Sequence, residues 1–213
     1  AKALRAVLTG ELDGVPVVAD DRLQIVIGAL KDPPDHPVPE LLVGTLRPYQ
    51  LRGFSWLKTL GEIGLGCCLA DDMGLGKTIQ LICHLLDRKA SNTAKGPSLV
   101  VCPTSVLGNW GRELAKFAPS IKVARYHGLH RDLDAAEQAD VMLTTYGLLV
   151  RDQDVLSEIN WDIVTLDEAQ AIKNPDSQRA RAARRLQAHH RVALSGTPIE
   201  NRLDELWALM EFL

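Results

Sequence analysis

Residues 70–78 read ADDMGLGKT, at the junction of the apolar run GCCLA with the amphipathic run TIQLICHLLDRK, and no other stretch restricts the possible folds as severely. A phosphate cradle needs backbone N–H groups converging on one oxyanion, a helix N-terminus behind them and a cation to neutralise charge. Gly74 and Gly76 permit close backbone approach, Lys77 can reach the β and γ phosphates of a nucleotide, and the Thr78 hydroxyl suits Mg²⁺. The pattern G-x-x-x-x-G-K-[ST] is broken only at its first position, which is Asp71. That position ends the predicted strand ahead of the cradle, so its glycine is the least essential one.

A strand, a glycine loop and a helix in that order imply a parallel sheet with helical crossovers, and the rest of the chain agrees. SLVVC, IKVARYH, VMLTT, DIVTLDE and RVALS read as strands, most of them of the fully buried type. RPYQLRGFSWLKTLGEI, VLGNWGRELAKF, SQRARAARRL and LDELWALMEFL have helical spacing. This predicts an α/β fold with a mostly parallel sheet covered on both faces. The loops at 71–78, 103–106, 167–170 and 195–198 each follow a strand, where open α/β sheets bind ligands.

Ahead of this lies a different segment. The first thirty or so residues are apolar and β-branched, and four prolines between 33 and 39 favour an extended linker. The expected organisation is an accessory arm and linker over 1–43 and one globular domain over 44–213. The chain opens AKALRAV and stops at WALMEFL within a helical pattern, so a piece of a longer protein is expected.

Composition removes several function classes. No apolar run is long enough to cross a membrane and no signal segment opens the chain, so a cytosolic location is the default. Net charge is only -3, so a nucleic-acid surface would have to be a local patch. The four cysteines show no C-x-x-C spacing and sit in apolar runs, which reads as buried thiols. The histidines show no metal-ligand spacing, and no structural zinc is expected.

TLDEAQ at 165–170 closes an apolar strand with two carboxylates, which is costly unless they meet a cation. With a phosphate loop in the same chain, Asp167 reads as the Mg²⁺ partner and Glu168 as the group that polarises the attacking water. ALSGTPIEN at 193–201 could sense a phosphate or be a plain tight turn. Arg179, Arg181, Arg184, Arg185, His189, His190 and Arg191 fit a solvated helix face better than a DNA patch. Trp56, Trp110, Trp161 and Trp207 all read as core.

The ordered set LRPYQLRGFSWL, ADDMGLGKT, VVCPTSVLGNW, YHG, TTYGLL, TLDEAQAIKN and ALSGTPIENRLDELWALMEFL resembles the first RecA-like domain of the Swi/Snf-type ATPases. These are double-stranded DNA translocases of helicase superfamily 2. The resemblance runs from about Leu46 to Leu213. It implies that Arg47 and Gln50 read the adenine of ATP, and that Asp72, Met73, Gly74, Leu75, Gly76, Lys77, Thr78 and Gln170 complete its site. An acidic residue commonly stands at the Asp71 position in this family.

The resemblance also makes Lys77, Asp167 and Glu168 the catalytic set, with Thr78 and Asp167 on Mg²⁺. Ser195, Gly196 and Thr197 match the motif that couples nucleotide state to DNA movement. DNA contacts are implied at Thr104, Ser105, His127, Gly128, Thr144, Thr145 and Tyr146, whose hydroxyls and N–H groups suit phosphate oxygens. Without the resemblance, TTY would read as strand-end β propensity.

Gln170 stands where many relatives carry His. Both can hydrogen-bond across to the coupling motif, but Gln cannot carry a positive charge. The implied protein is a monomer that binds duplex DNA and needs a second RecA-like domain to supply an arginine finger. It would lie in the cytoplasm, on the nucleoid, or in a nucleus. Alone, this chain should bind nucleotide weakly and hydrolyse it poorly. A strand-separating or RNA-dependent relative and a non-catalytic binding module are the competing readings.

Overall fold

The computed structural model describes residues 32–128, 131–197 and 203–213, together with short stretches between 11 and 29. The early strands β1 (Glu11–Leu12) and β2 (Val15–Pro16) form a two-residue antiparallel pair. Most of the expected arm lies outside the described residues. Segment 33–39 carries no helix or strand, as its prolines require. It runs beside the helix Pro48–Glu62, where His36 N donates to Ser55 Oγ at 3.0 Å and the His36 ring meets Thr59 Oγ1 at 3.0 Å.

The remaining elements alternate. In chain order they are α1 (Pro48–Glu62), β3 (Cys67–Leu69), α2 (Lys77–Ala90), β4 (Ser98–Cys102), α3 (Thr104–Phe117) and β5 (Val123–Arg125). Then come α4 (Asp134–Glu137), β6 (Val141–Thr145), α5 (Tyr146–Arg151), α6 (Gln153–Glu158), β7 (Asn160–Asp167), α7 (Gln178–Arg185), β8 (Gln187–Leu194) and α8 (Leu203–Phe212). A 3₁₀ turn, Ala169–Ile172, follows β7.

β3 to β8 form one six-stranded sheet, ordered β3-β8-β7-β4-β6-β5, in which every pair is parallel. Period-2 alternation sends Val100 and Cys102 to one face and Leu99 and Val101 to the other. On the first face Phe54 and Leu57 of α1, Ile82 and Leu86 of α2, and Trp110 and Leu114 of α3 close the core. On the second, Leu149 of α5, Leu156 of α6, Ala180 and Ala183 of α7, and Leu209 and Phe212 of α8 do so. Both faces are therefore dry, which explains why the strands read as continuous apolar runs.

Two expectations need correction. The sequence reading placed no helix between β6 and β7, yet α5 and α6 lie there, six residues each and separated at Asp152. Trp207 is 62% exposed rather than core, because α8 turns Ala208, Leu209 and Phe212 inward instead.

The sheet order fixes the site. β8 lies between β3 and β7, with Leu69 opposite Leu194 and Leu194 opposite Asp167. The loops after β3, β8 and β7 consequently leave the sheet side by side.

Candidate functional site

The glycine loop is shaped by backbone conformation. Gly74 and Gly76 take φ of +84° and +80°, the left-handed region that side chains disfavour, and Gly76 immediately precedes α2. Lys77 Nζ donates to the carbonyl oxygens of Asp71 at 2.5 Å and Asp72 at 3.1 Å, so its ammonium lies within the turn. Asp71 has a local task. Its Oδ2 accepts from Gln80 Nε2 at 3.1 Å, which ties the strand end to the first turn of α2.

Gln50 buttresses the same loop from α1. Its Oε1 accepts from Arg47 N at 2.9 Å, and its Nε2 donates to Leu75 O at 3.1 Å. A Cβ on Gly76 would come within 2.5 Å of Gln50 Nε2 and push that amide off Leu75 O, besides straining the positive φ.

The carboxylate pair stands at the end of β7. Asp167 Oδ1 accepts from Glu168 N at 3.0 Å, and its Oδ2 accepts from Trp110 Nε1 at 2.7 Å. Burial raises the Asp167 pKa above the ordinary carboxylate value; the Trp110 hydrogen bond acts against this, and the Glu168 charge adds to it. Glu168 has φ of +52°, a conformation that costs a non-glycine residue roughly 1–3 kcal/mol and that clusters at functional sites.

Gln170 bridges two loops. Its Nε2 donates to Glu168 Oε2 at 2.6 Å, and its Oε1 accepts from Ser195 Oγ at 3.2 Å. Ser195 is buried; its N–H donates to Leu69 O at 3.2 Å, and its Oγ accepts from Thr197 N at 3.1 Å. A Cβ on Gly196 would meet Met73 Cγ at 3.2 Å, so the turn after β8 also abuts the glycine loop.

The glycine loop and the carboxylate pair face one cleft of about 460 Å³, whereas Gln170, Ser195 and Thr197 lie outside its lining. Gln50, Met73, Gly74, Gly76, Lys77, Thr78, Asp167 and Glu168 line it, together with Trp110 and Glu113 of α3. Thr78 and Asp167 bring two hard oxygen donors to it, the donor type that Mg²⁺ takes. Among the described residues no group of three or more His, Cys, Asp or Glu side chains is placed to hold a metal ion.

The residues expected to meet DNA divide into two groups. Thr104 and Ser105, at the N-terminus of α3, and His127 and Gly128, after β5, are exposed. Thr144, Thr145 and Tyr146 are buried, and their hydroxyls are used internally. Thr144 Oγ1 donates to Tyr126 O at 3.1 Å, Thr145 Oγ1 accepts from Leu148 N at 3.4 Å, and the Tyr146 hydroxyl donates to Asp167 O at 2.8 Å. Those three hydroxyls shape the strand end instead of facing solvent.

The basic run divides: Arg179 and Arg181 lie exposed on α7, as a solvated helix face requires, whereas His189, His190 and Arg191 lie on β8 and not on a helix, with His190 buried. Arg184 pairs with Glu211, Arg185 pairs with Asp154, and Arg191 donates to Phe212 O and Leu186 O. Two functional contacts escaped sequence reasoning, those of the Trp110 indole and of Gln80. Both residues sit in helical apolar patterns whose polar tips carry no local signal.

Residues 49–213 match the SNF2-related domain. The chain belongs to that family. YwqA of Bacillus subtilis is 52% identical over 190 residues, covering 87% of this chain and 21% of its own length. Helicase SWR1 of Candida albicans is 39% identical over 211 residues, covering 96% of this chain and 13% of its own. The SNF2-related domain described here thus spans a minor part of its curated relatives. The SWI2/SNF2 ATPase core of Sulfolobus solfataricus, solved in complex with dsDNA, superposes with a TM-score of 0.76 at 48% identity. That match covers 82% of this chain and 37% of the other, and it confirms the RecA-like α/β fold. No helix among the described residues is long and apolar enough to cross a membrane.

Proposed function

We propose that this SNF2-related domain is the first ATPase lobe of a double-stranded-DNA-dependent ATPase that moves along DNA and remodels protein–DNA complexes. The observation that carries this reading is the convergence of Lys77, Thr78, Asp167 and Glu168 on one cleft at the carboxyl edge of the sheet. Relatives support it, since SWR1 is named a helicase and the Sulfolobus core was solved with dsDNA.

In this reading the N–H groups of 72–78 hold the ATP phosphates, and Lys77 exchanges its two loop carbonyls for β and γ oxygens. Gln50 and Arg47 flank the adenine. Thr78 and Asp167 would hold Mg²⁺, whose charge would offset that developing on the phosphates. Glu168 orients a water in line with the γ phosphate, and Gln170 fixes the Glu168 carboxylate while reporting to Ser195, Gly196 and Thr197. Thr104, Ser105, His127 and Gly128 supply sequence-independent phosphate contacts.

A second RecA-like domain supplies the arginine finger, worth about 10³ to 10⁵ in rate, so the lobe alone hydrolyses ATP poorly. The protein works as a monomer in the cytoplasm or nucleus. The test is the ATPase rate of the longer protein with duplex DNA, single-stranded DNA and RNA. Stimulation by duplex DNA that disappears in Lys77→Ala and Glu168→Gln is expected. Stimulation by RNA alone, or undiminished rates in both variants, would overturn the proposal.

A further inference from the structure

Asp167 is gripped at two separate atoms by aromatic side chains from two different elements. Trp110 Nε1 donates to its carboxylate Oδ2 at 2.7 Å, and the Tyr146 hydroxyl donates to its main-chain oxygen at 2.8 Å. Both aromatics are nearly inaccessible, at 1% and 4% exposure, so each contact satisfies a polar tip that would otherwise be orphaned.

The origins of the two side chains are informative. Trp110 lies on α3, six residues along from Thr104, and that helix opens with the exposed pair Thr104 and Ser105. Tyr146 is the first residue of α5, at the end of β6, and β4 lies between β6 and β7 in the sheet. Its side chain therefore spans the end of β4, about two strand spacings or ~9.5 Å, to reach Asp167. An α-helix moves nearly as a rigid rod, so displacement at the start of α3 reaches Trp110 about 9 Å away along the axis.

We propose that Trp110 and Tyr146 are positioning residues that clamp Asp167 from two sides and so join the ATP site to the ends of β4 and β6, where a nucleic-acid backbone would press. The clamp rests on the functional reading given above. Trp110 sets the rotation of the Asp167 carboxylate, whose other oxygen already holds Glu168 N at 3.0 Å. Tyr146 fixes the peptide that leads into Glu168, the residue held at φ of +52°. Phosphate engagement at the exposed Thr104 and Ser105 displaces α3 and the Trp110 jaw with it, against the buried Tyr146 jaw, and thereby reorients both carboxylates.

The experiment uses the longer protein carrying both lobes, with Trp110→Phe and Tyr146→Phe. Tyr146→Phe removes a single oxygen and keeps the ring, so it remains informative if Trp110→Phe folds poorly. Two readouts are taken: the ratio of ATPase rates with and without duplex DNA, and the Mg²⁺ concentration that half-saturates binding of a fluorescent non-hydrolysable ATP analogue. Outer-sphere partners of metal-ligating groups typically matter by about 10- to 100-fold.

Each variant is expected to lose about 10-fold in DNA-stimulated kcat while its KM for DNA stays near the wild-type value. Trp110→Phe is also expected to need several-fold more Mg²⁺. Wild-type stimulation and Mg²⁺ dependence in a folded Tyr146→Phe or Trp110→Phe protein would reduce the clamp to core packing and overturn the proposal, leaving the ATPase reading intact. A wild-type protein that duplex DNA fails to stimulate would overturn the functional reading, and the clamp with it.

Discussion

Ser195 Oγ donates to Gln170 Oε1 at 3.2 Å, so one side-chain amide fastens the turn after β8 to the turn after β7. The same amide donates to Glu168 Oε2 at 2.6 Å. Gln170→Ala breaks both links at once and leaves the phosphate cradle untouched. Coupling residues of this kind modulate energetics by about 0.5–2 kcal/mol. DNA-stimulated kcat should fall by roughly 2- to 30-fold, with binding of an ATP analogue altered less than about twofold. Steady-state ATPase assays beside equilibrium binding will separate the two effects.

Asp71 interrupts the general loop pattern, and its carboxylate bonds to Gln80 rather than facing the cradle. Asp71→Gly restores the pattern while removing that hydrogen bond and adding backbone freedom. The expected cost is about 1–2 kcal/mol of stability with nucleotide affinity nearly unchanged. Urea unfolding and analogue titration of the same variant check both parts.

Arg88 and Asp162 form an ion pair in which the Asp162 side chain is fully buried. Arg88 Nε donates to Asp162 Oδ2 at 3.0 Å, and Lys95 N donates to Oδ1 at 3.0 Å. Removing only the cation strands a carboxylate in the core. Arg88→Ala should cost about 3–5 kcal/mol in denaturant unfolding, far more than substitution of an exposed arginine such as Arg181.

His84 and His190 lie buried edge to face, with His84 Nε2 3.2 Å from His190 Nδ1 and His190 Nε2 3.3 Å from Cys67 Sγ. Burial drives both pKa values down, that of His190 from 6.5 to about 4, and the cations Arg88 and Lys58 push the same way on His84. Asp162 opposes the shift at His190. The unfolded chain thus binds protons that the folded chain refuses. Stability is full above pH 6.5 and falls as pH drops towards about 4, by at most about 1.4 kcal/mol per pH unit for each histidine. Unfolding midpoints measured from pH 7 to pH 5 should show this slope, and His190→Gln should flatten it by about one proton.

Much of this was legible from residue order alone. Strand-type runs punctuated by loops gave the α/β fold, and Lys77, Thr78, Asp167 and Glu168 were recognisable from their chemistry. The helices at 146–151 and 153–158 were hidden because six residues are too few for helical periodicity to declare itself. Trp110 and Tyr146 read as core and strand end because their polar tips find Asp167 only through tertiary packing. The placement of β8 between β3 and β7 has no local signal, yet it brings Ser195 to Gln170. Trp207 shows the converse, since an apolar residue at helical spacing can still face outward.

In the proposed function the loop at 71–78 and the carboxylates at 167 and 168 form one nucleotide site. Amide NMR of this 213-residue chain, titrated with a non-hydrolysable ATP analogue and Mg²⁺, tests it most directly. Saturable shifts are expected at Gly74, Gly76, Lys77 and Thr78, with Mg²⁺-dependent shifts at Asp167 and Glu168, all abolished by Lys77→Ala. Shifts confined to other surfaces, or unchanged by Lys77→Ala, would contradict it.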